Sequence, residues 1–386
     1  MDFFKKQSLR TQLLLVVCGV VVAGFAVTLS VLANRMTQAQ QNSALQYVEA
    51  LTDRYSGEAL ATLNQAITVT NMMAKTYEAM VINGNTDRET ANAMMRQVLD
   101  ANPGIISTWT IWEPNGFDGR DADYASTKNH DATGRFVPYW IQDGKGGHAS
   151  DAIVDYDKEN YYQIPRRTGK TVMQEPYVYN YGGREILQTA VTVPVMVNGK
   201  FLGVAGVSVP LNNLQKMVRE IKIYDSGYVR LISNQGVIVG AQNSDILGKN
   251  ISQAQLYTQE LTQKIATAVR TGQHLNTEFD DPNFGGDAAM LVVAPMQMEL
   301  ADTPWSFVAS VPMDEVLADV HAMQWLAGVL GVLSVLLTSV GLVLAVNRLV
   351  LRPLGGNPSE AASLAQRVAQ GDLTHHIAVQ PGTTLV

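Results

Sequence analysis

Aromatic and acidic side chains gather between Arg135 and Leu214 in a way the rest of the chain does not repeat. The run Arg135-Phe136-Val137-Pro138-Tyr139-Trp140 is followed by Asp155-Tyr156-Asp157, Tyr161-Tyr162 and Glu175-Pro176-Tyr177-Val178-Tyr179, and Gly203 to Val209 closes the stretch. Aromatic residues are only 7% of the sequence, so this crowding calls for a reason. Such rings supply contact area and a hydrogen-bonding tip at small rotamer cost, which suits a small-molecule pocket. A core with tyrosines at its rim gives the same local pattern. The candidate binding set is Trp112, Tyr139, Trp140, Tyr161, Tyr177 and Tyr179 as aromatic walls, Asp155 and Asp157 as carboxylates, and Ser208 as a strand hydroxyl.

Other chemistries find less support. Of the six histidines, His130, His148, His274 and His321 are scattered, and His375 and His376 are adjacent near the C-terminal end. None belongs to a convergent nucleophile, base or metal set, so no enzyme, cofactor or metal site is expected. Ser208 lacks the glycine-flanked elbow of a hydrolase nucleophile. Asp118, Asp121 and Asp123 do not follow the spacing of a calcium-binding hand and are read as a solvated loop. A net charge of −7 without a concentrated basic segment argues against nucleic acid. The single cysteine, Cys18, can form no disulfide within the chain.

Two apolar blocks frame the candidate pocket. Leu13 to Ala33 carries no charge over about 21 residues, roughly 31 Å of helix, enough to cross a bilayer. A cleaved signal peptide competes for this block, but Trp325 to Val346 is a second uncharged run of similar length, which favours a pair of anchors. Lys5, Lys6 and Arg10 precede the first span and Arg348 and Arg352 follow the second. That asymmetry puts both termini in the cytoplasm and residues 34–323 outside.

Between the spans, Leu45, Val48, Tyr55, Ala59, Leu63, Ala66, Met73, Tyr77 and Met80 recur at three- and four-residue steps. This predicts one long helix with an apolar stripe that packs on its own domain and against a second copy, so a homodimer is expected. Asn83-Gly84-Asn85 breaks it, and Thr86 with Glu89 predicts a capping box for the next helix. The period then changes to two over Ile105 to Trp112. Strand-like segments dominate Phe136 to Val209, including a hairpin turned by Asn198-Gly199. A helix from about Leu211 to Ile221 follows, then strands at Tyr228–Ile232, Gly236–Ala241, Ala289–Pro295 and Trp305–Val311, with a helical piece between 252 and 271. Val207-Ser208-Val209-Pro210 and Ala309-Ser310-Val311-Pro312, each preceding a helix, suggest two related α/β modules in tandem.

With these segments in place, the chain resembles the bacterial double-Cache chemoreceptors, methyl-accepting chemotaxis proteins with two PAS-like sensor modules behind one long helix. The resemblance rests on Thr133 to Trp140, Pro165-Arg166-Arg167-Thr168-Gly169-Lys170, Glu175-Pro176-Tyr177 and Gly203 to Pro210. Arg352-Pro353-Leu354-Gly355-Gly356, a helix capped by Asn357 with Pro358 first, and Gly371-Asp372-Leu373 resemble the start of a HAMP linker. The implied fold is α/β, with two antiparallel-sheet modules between two transmembrane helices. The implied divisions are 1–10 cytoplasmic, 11–33 first span, 34–84 stalk and dimer helix, 85–215 membrane-distal ligand-binding module, 216–323 membrane-proximal module, 324–347 second span and 348–386 partial HAMP. The implied partners are a small-molecule ligand, the membrane, a second copy, and a chemotaxis kinase with its coupling protein reached through a cytoplasmic domain. Histidine kinases and cyclic-dinucleotide enzymes carry the same input modules, so they are alternative outputs.

In amino-acid-binding members of that family, two acids pair with the ligand ammonium and an Arg and a Trp hold its carboxylate. The tyrosine before the first acid is matched by Tyr177, whereas the acids align with Tyr179 and Ser208, and the Arg and Trp with Glu159 and Tyr161. Burying an ammonium without a paired carboxylate costs several kcal/mol, against about 1 kcal/mol from an aromatic contact. A flat neutral ligand such as a purine or pyrimidine derivative is therefore expected. An amine met by Asp155, Asp157 or Glu159 is the alternative, as is a carboxylate met by Arg166, Arg167 or Arg184.

Overall fold

The structure, a computed structural model, describes residues 9–142, 147–181, 183–298, 303–351 and 358–370. Helix α1 spans Leu9–Ile82, so the first apolar block and the stalk are one helix. Ala44, Val48, Ala59, Leu63, Ala66, Met73 and Tyr77 are buried along it, the stripe that the three- and four-residue spacing predicts. Gly84, at φ +66°, ends it in a left-handed turn.

Helix α2, Arg88–Ala101, is capped differently from expectation. Asp87, not Thr86, is the N-cap, and its Oδ2 accepts from the Thr90 amide at 2.8 Å and the Thr90 hydroxyl at 2.6 Å. A carboxylate both satisfies an orphan amide and faces the positive end of the helix dipole, which a threonine hydroxyl does not.

The first sheet comprises β1 (Ser107–Trp112), β2 (Pro138–Gln142), β3 (His148–Ala152), β4 (Val172–Met173), β5 (Tyr177–Tyr181), β6 (Arg184–Val197) and β7 (Lys200–Pro210). Its order is β3-β2-β1-β7-β6, with β4 and β5 both pairing to β6, and every pairing is antiparallel. Asn198 (φ 52°) and Gly199 (φ 77°) turn β6 into β7 as the Asn-Gly pair predicts. A short helix α3, Asn160–Thr168, lies between β3 and β4 in sequence.

Helix α4, Asn212–Glu220, leads to the second sheet: β8 (Tyr228–Ile232), β9 (Ile238–Gly240), β10 (Leu275–Asp281), β11 (Asp287–Met296) and β12 (Trp305–Pro312). Its order is β10-β11-β12-β8-β9, again antiparallel throughout. Helix α5, Gln259–Thr271, packs Leu261, Ile265 and Val269 onto Ile232, Leu291, Val293 and Val308 of this sheet. Strand β10 is an addition to the expected set. Its sequence, Leu-Asn-Thr-Glu-Phe-Asp-Asp, carries few apolar residues because it is a sheet edge.

Helix α6, Met313–Val316, is separated by Leu317 from α7, Ala318–Ala345, and α8 covers Pro358–Ala369. Residues Met1–Ser43 and Leu317–Val386 form one compact unit and Ala44–Val316 another. Within the first unit, Cys18 Sγ and Ser339 Oγ hydrogen-bond at 3.0 Å. Two helices, α1 and the one running from Ala318, are long and apolar enough to cross a membrane. The mixed α/β fold with a long N-terminal helix and two antiparallel sheets is the architecture expected from the sequence. Of the expected HAMP segment, residues 352–357 and 371–386 lie outside the described residues.

Candidate functional site

Strand period decides which candidate side chains can meet. On β1, Ser107, Trp109 and Ile111 share one face and Thr108, Thr110 and Trp112 the other. The register aligns Trp109 with Tyr139 on one side and Gly206 on the other, and Ser107 with Ser208, which in turn opposes Ala190. Tyr177 lies opposite Gln188 and Tyr179 opposite Ile186. One sheet face therefore carries Tyr139, Trp109, Ser107, Ser208, Gln188, Tyr177, Tyr179 and Tyr181.

Glycine makes room for the largest of these. A methyl group at Gly206 would overlap Cε2, Cζ2 and Cη2 of the Trp109 indole, so the ring lies flat over a bare backbone. Tyr161, from the first turn of α3, meets the same indole edge-on with ring centroids 5.3 Å apart. Tyr139, Tyr177 and Tyr181 complete the wall around Tyr179, whose centroid lies 6.4 Å, 6.5 Å and 4.6 Å from theirs.

The hydroxyl tips form a network. Tyr139 and Tyr181 hydroxyls share a hydrogen bond at 3.0 Å, Tyr181 donates to Gln188 Oε1, and Gln188 Nε2 donates to the Tyr177 hydroxyl at 2.8 Å. Gln188 is fully buried in β6, so its amide fixes the height of both tyrosines. Ser107 Oγ and Thr192 Oγ1 are buried in this sheet without a partner in good hydrogen-bond geometry. Burial pushes the Tyr177 phenol up to about 12 and raises Tyr139 and Tyr161 further. All three are neutral at physiological pH, each able to donate and to accept. After burial, the Glu159 charge and more weakly that of Asp155 act on Tyr161, so two carboxylates stand near one rim.

Trp112 and Trp140 do not join this face, which corrects the sequence expectation. Trp112 is buried against Tyr77 of α1, with centroids 5.5 Å apart, and Trp140 donates its Nε1–H to Asn92 Oδ1 of α2 at 3.0 Å. Each is one residue out of phase with the aromatic face, and both fasten the helices to the back of the sheet. Asp157 accepts from Arg135 Nη1 at 3.2 Å with its side chain largely in solvent. Asp155 is exposed, in a left-handed conformation at φ 57°. Trp109, Tyr181, Gln188 and Ser107 were not among the expected residues; the two-residue period from Tyr177 and Tyr179 leads to Tyr181, whereas the other three are placed only by the pairing of β1 and β6 with their neighbours.

Of the acidic loop, Asp123 is solvated as expected, but Asp118 and Asp121 are not. Arg88 donates Nε to Asp118 Oδ2 at 2.8 Å, Nη2 to Asp118 Oδ1 and Asp121 Oδ1 at 2.6 and 2.7 Å, and Nη1 to the Gly134 carbonyl at 2.8 Å. These acids pin the segment that leads into Arg135. Among the described residues no group of three or more His, Cys, Asp or Glu is placed to hold a metal ion.

One contact ties this sheet to the next. Glu175, two residues before Tyr177, accepts from the Ser233 hydroxyl and, at 3.2 Å, from the Gln235 amide in the turn after β8. Burial pushes its carboxyl up, against the effect of those two donors.

Comparison with known proteins accounts for this architecture. The chain is 27% identical over 328 residues to the methyl-accepting chemotaxis protein TlpQ of Pseudomonas aeruginosa, covering 75% of this chain and 43% of that protein. It is 25% identical over 233 residues to PscA of Pseudomonas syringae pv. tomato, covering 60% and 34%. It thus spans less than half the length of these curated relatives. Among solved structures, the extracellular domain of the putative histidine kinase mmHK1S-Z2 is 31% identical with a TM-score of 0.64, covering 71% of this chain and 99% of that one. The periplasmic sensory domain of the Campylobacter jejuni chemoreceptor Tlp1 shares the fold, with a TM-score of 0.56 at 14% identity over 70% of this chain and 96% of that one. The double-Cache family profile, described as a Cache domain, matches residues 29–320 and so runs through both sheets: the chain belongs to the Cache-domain family.

Proposed function

We propose that this chain is the sensing and anchoring part of a bacterial chemoreceptor, with a flat neutral small molecule of purine or pyrimidine type as the ligand of its first module, residues 85–215. The observation that carries this reading is the single sheet face on which Tyr139, Tyr177, Tyr179 and Trp109 surround the buried amide of Gln188. Neutral phenols and an amide match hydrogen-bonding edges of either polarity, and the rings match a planar face. No carboxylate stands in the network where an ammonium would need one, since Tyr179 and Ser208 occupy those positions. An amine is the second reading, favoured by Glu159 and Asp155 beside Tyr161.

The signal then passes as a population shift. A ligand that closes the first module biases the second, residues 216–323, and the span at 324–347 by no more than its difference in affinity for the two states, typically about 1–3 kcal/mol. Both termini lie in the cytoplasm, the chain works as a homodimer, and a HAMP segment at 348–386 leads to a chemotaxis kinase and its coupling protein. The relatives named as chemotaxis proteins support that output, and the 31% identical kinase domain supports a histidine kinase as the alternative.

The test is calorimetric titration of the detergent-solubilised chain with nucleobases, amines, amino acids and carboxylates. A nucleobase should bind to wild type and be lost in Tyr177→Ala and Tyr179→Ala, each checked for an unchanged circular dichroism spectrum. Wild-type affinity in Tyr177→Ala would move the site elsewhere. An amine that binds and is lost in Glu159→Gln would replace the neutral-ligand reading.

A further inference from the structure

The second sheet contains an arginine that the fold does not satisfy. Arg230, in the middle of β8, is 4% exposed, and its Nη1 donates to the Tyr228 hydroxyl at 2.9 Å and the Tyr257 hydroxyl at 2.6 Å. Those bonds use one of the three guanidinium nitrogens. Among the described residues, Nε–H and both Nη2–H groups have no acceptor and no carboxylate lies within ion-pair distance of the group. Asp281, which shares the Tyr228 hydroxyl with Arg230, has no capacity left for it. Asp281 Oδ2 accepts from the Tyr228 and Ser310 hydroxyls, both at 2.6 Å, and Oδ1 from the Asn283 amide at 2.9 Å and side chain at 2.8 Å. Four hydrogen bonds fill the four lone-pair positions of a carboxylate. Tyr228 therefore separates the two charges instead of letting them pair.

Arg230 borders a cavity of about 230 Å³. Arg230 and Tyr228 line it with Asn283, Asn243, Ile246 and Phe284, so a cation and amides share it with an apolar wall. At about 30 Å³ per water in the liquid, the space suits a molecule of only a few heavy atoms. A bare Nε and Nη2 edge is the planar fork that a carboxylate accepts with two parallel bonds. The tyrosine-relayed Arg230 and Asp281 charges cancel, so one added negative charge is tolerated more readily than two.

We infer that the cavity between β8, the Asn243 turn and Asn283 is a second ligand site, which takes a small aliphatic monocarboxylate on the free edge of Arg230 with its tail against Ile246 and Phe284. This site is separate from the aromatic face of the first module and does not depend on the ligand proposed for it. The competing account makes Arg230 a purely structural charge held by two tyrosines. In that account only water in the cavity would meet Nε–H and the two Nη2–H groups, and no carboxylate would be needed.

The detergent-solubilised full chain should be titrated calorimetrically with acetate, propionate and butyrate, with sulfate and methylammonium as controls. Wild type should bind at least one monocarboxylate saturably, Tyr177→Ala should bind it equally well, and Arg230→Lys should bind it at least tenfold more weakly because an ammonium has no fork. Ile246→Phe, which narrows the cavity without touching Arg230, should weaken butyrate more than acetate and covers the case that the arginine variant does not fold. Saturable binding by none of the three carboxylates, unchanged binding in Ile246→Phe, or sulfate binding as tightly as the best carboxylate would overturn the assignment.

Discussion

Replacing Gly206 by alanine tests whether the aromatic face is built as described. Gly206 has ordinary strand backbone, so alanine meets no conformational penalty of its own. The added methyl would instead overlap the six-membered ring of Trp109, which is 4% exposed and lies against Tyr161. Overpacking of this kind costs about 1–3 kcal/mol. For a body the size of Ala44–Val316, each kcal/mol lowers Tm by roughly 2–4 °C, so a drop of about 4–8 °C is expected for the middle of that range. The assay is thermal unfolding of wild type, Gly206→Ala, Trp109→Leu and the double variant. In the Trp109→Leu background the ring is gone, and the same methyl should cost less than about 0.5 kcal/mol, giving a coupling of at least about 1 kcal/mol between the two sites. Costs that simply add would refute the claim that Gly206 exists to accommodate the indole.

Two further outcomes follow from buried charges. Arg88→Met strands Asp118 and Asp121 and should destabilise by about 3–5 kcal/mol at neutral pH, read from the denaturant midpoint. Burial alone would raise Asp118, but Arg88 and the Arg120 amide outweigh it and hold the carboxyl below the ordinary range, so its contribution is present above the unfolded value and lost as pH falls through the lower folded one. The gap between wild type and Arg88→Met should therefore shrink on acidification below about pH 4, and a constant gap would count against the ion pair. Glu175 behaves oppositely: its raised folded pKa makes stability fall as pH rises past the ordinary glutamate value. Glu175→Gln should lack that fall, and identical pH profiles for the two proteins would show that the carboxylate is not held as described.

The long helix, most strands and the Asn198-Gly199 turn were legible because each has a local cause: an apolar stripe, β-branched runs and a demand for positive φ. The face of the site was half legible. Adjacent Tyr139 and Trp140 looked equivalent as aromatic residues, yet a strand must send them to opposite sides, and only pairing with β1 decides which side is which. Gln188 was invisible because one glutamine in a β-rich run has no local signature; its role arises from partners on another strand. Edge strand β10 escaped for the opposite reason, since its polar residues are an answer to solvent. Arg88 and Asp118 could not be matched from sequence because they lie 30 residues apart, with a helix and a strand between them.

The Glu175 bridge also constrains recombination among relatives. A grafted first module brings its own residue at this position, while Ser233 and Gln235 stay with the recipient. A chimera joined anywhere in α4 therefore inherits the two halves of one joint from different parents. The acid and the turn must be exchanged together, or strand β5, which starts two residues later, begins from an unanchored end.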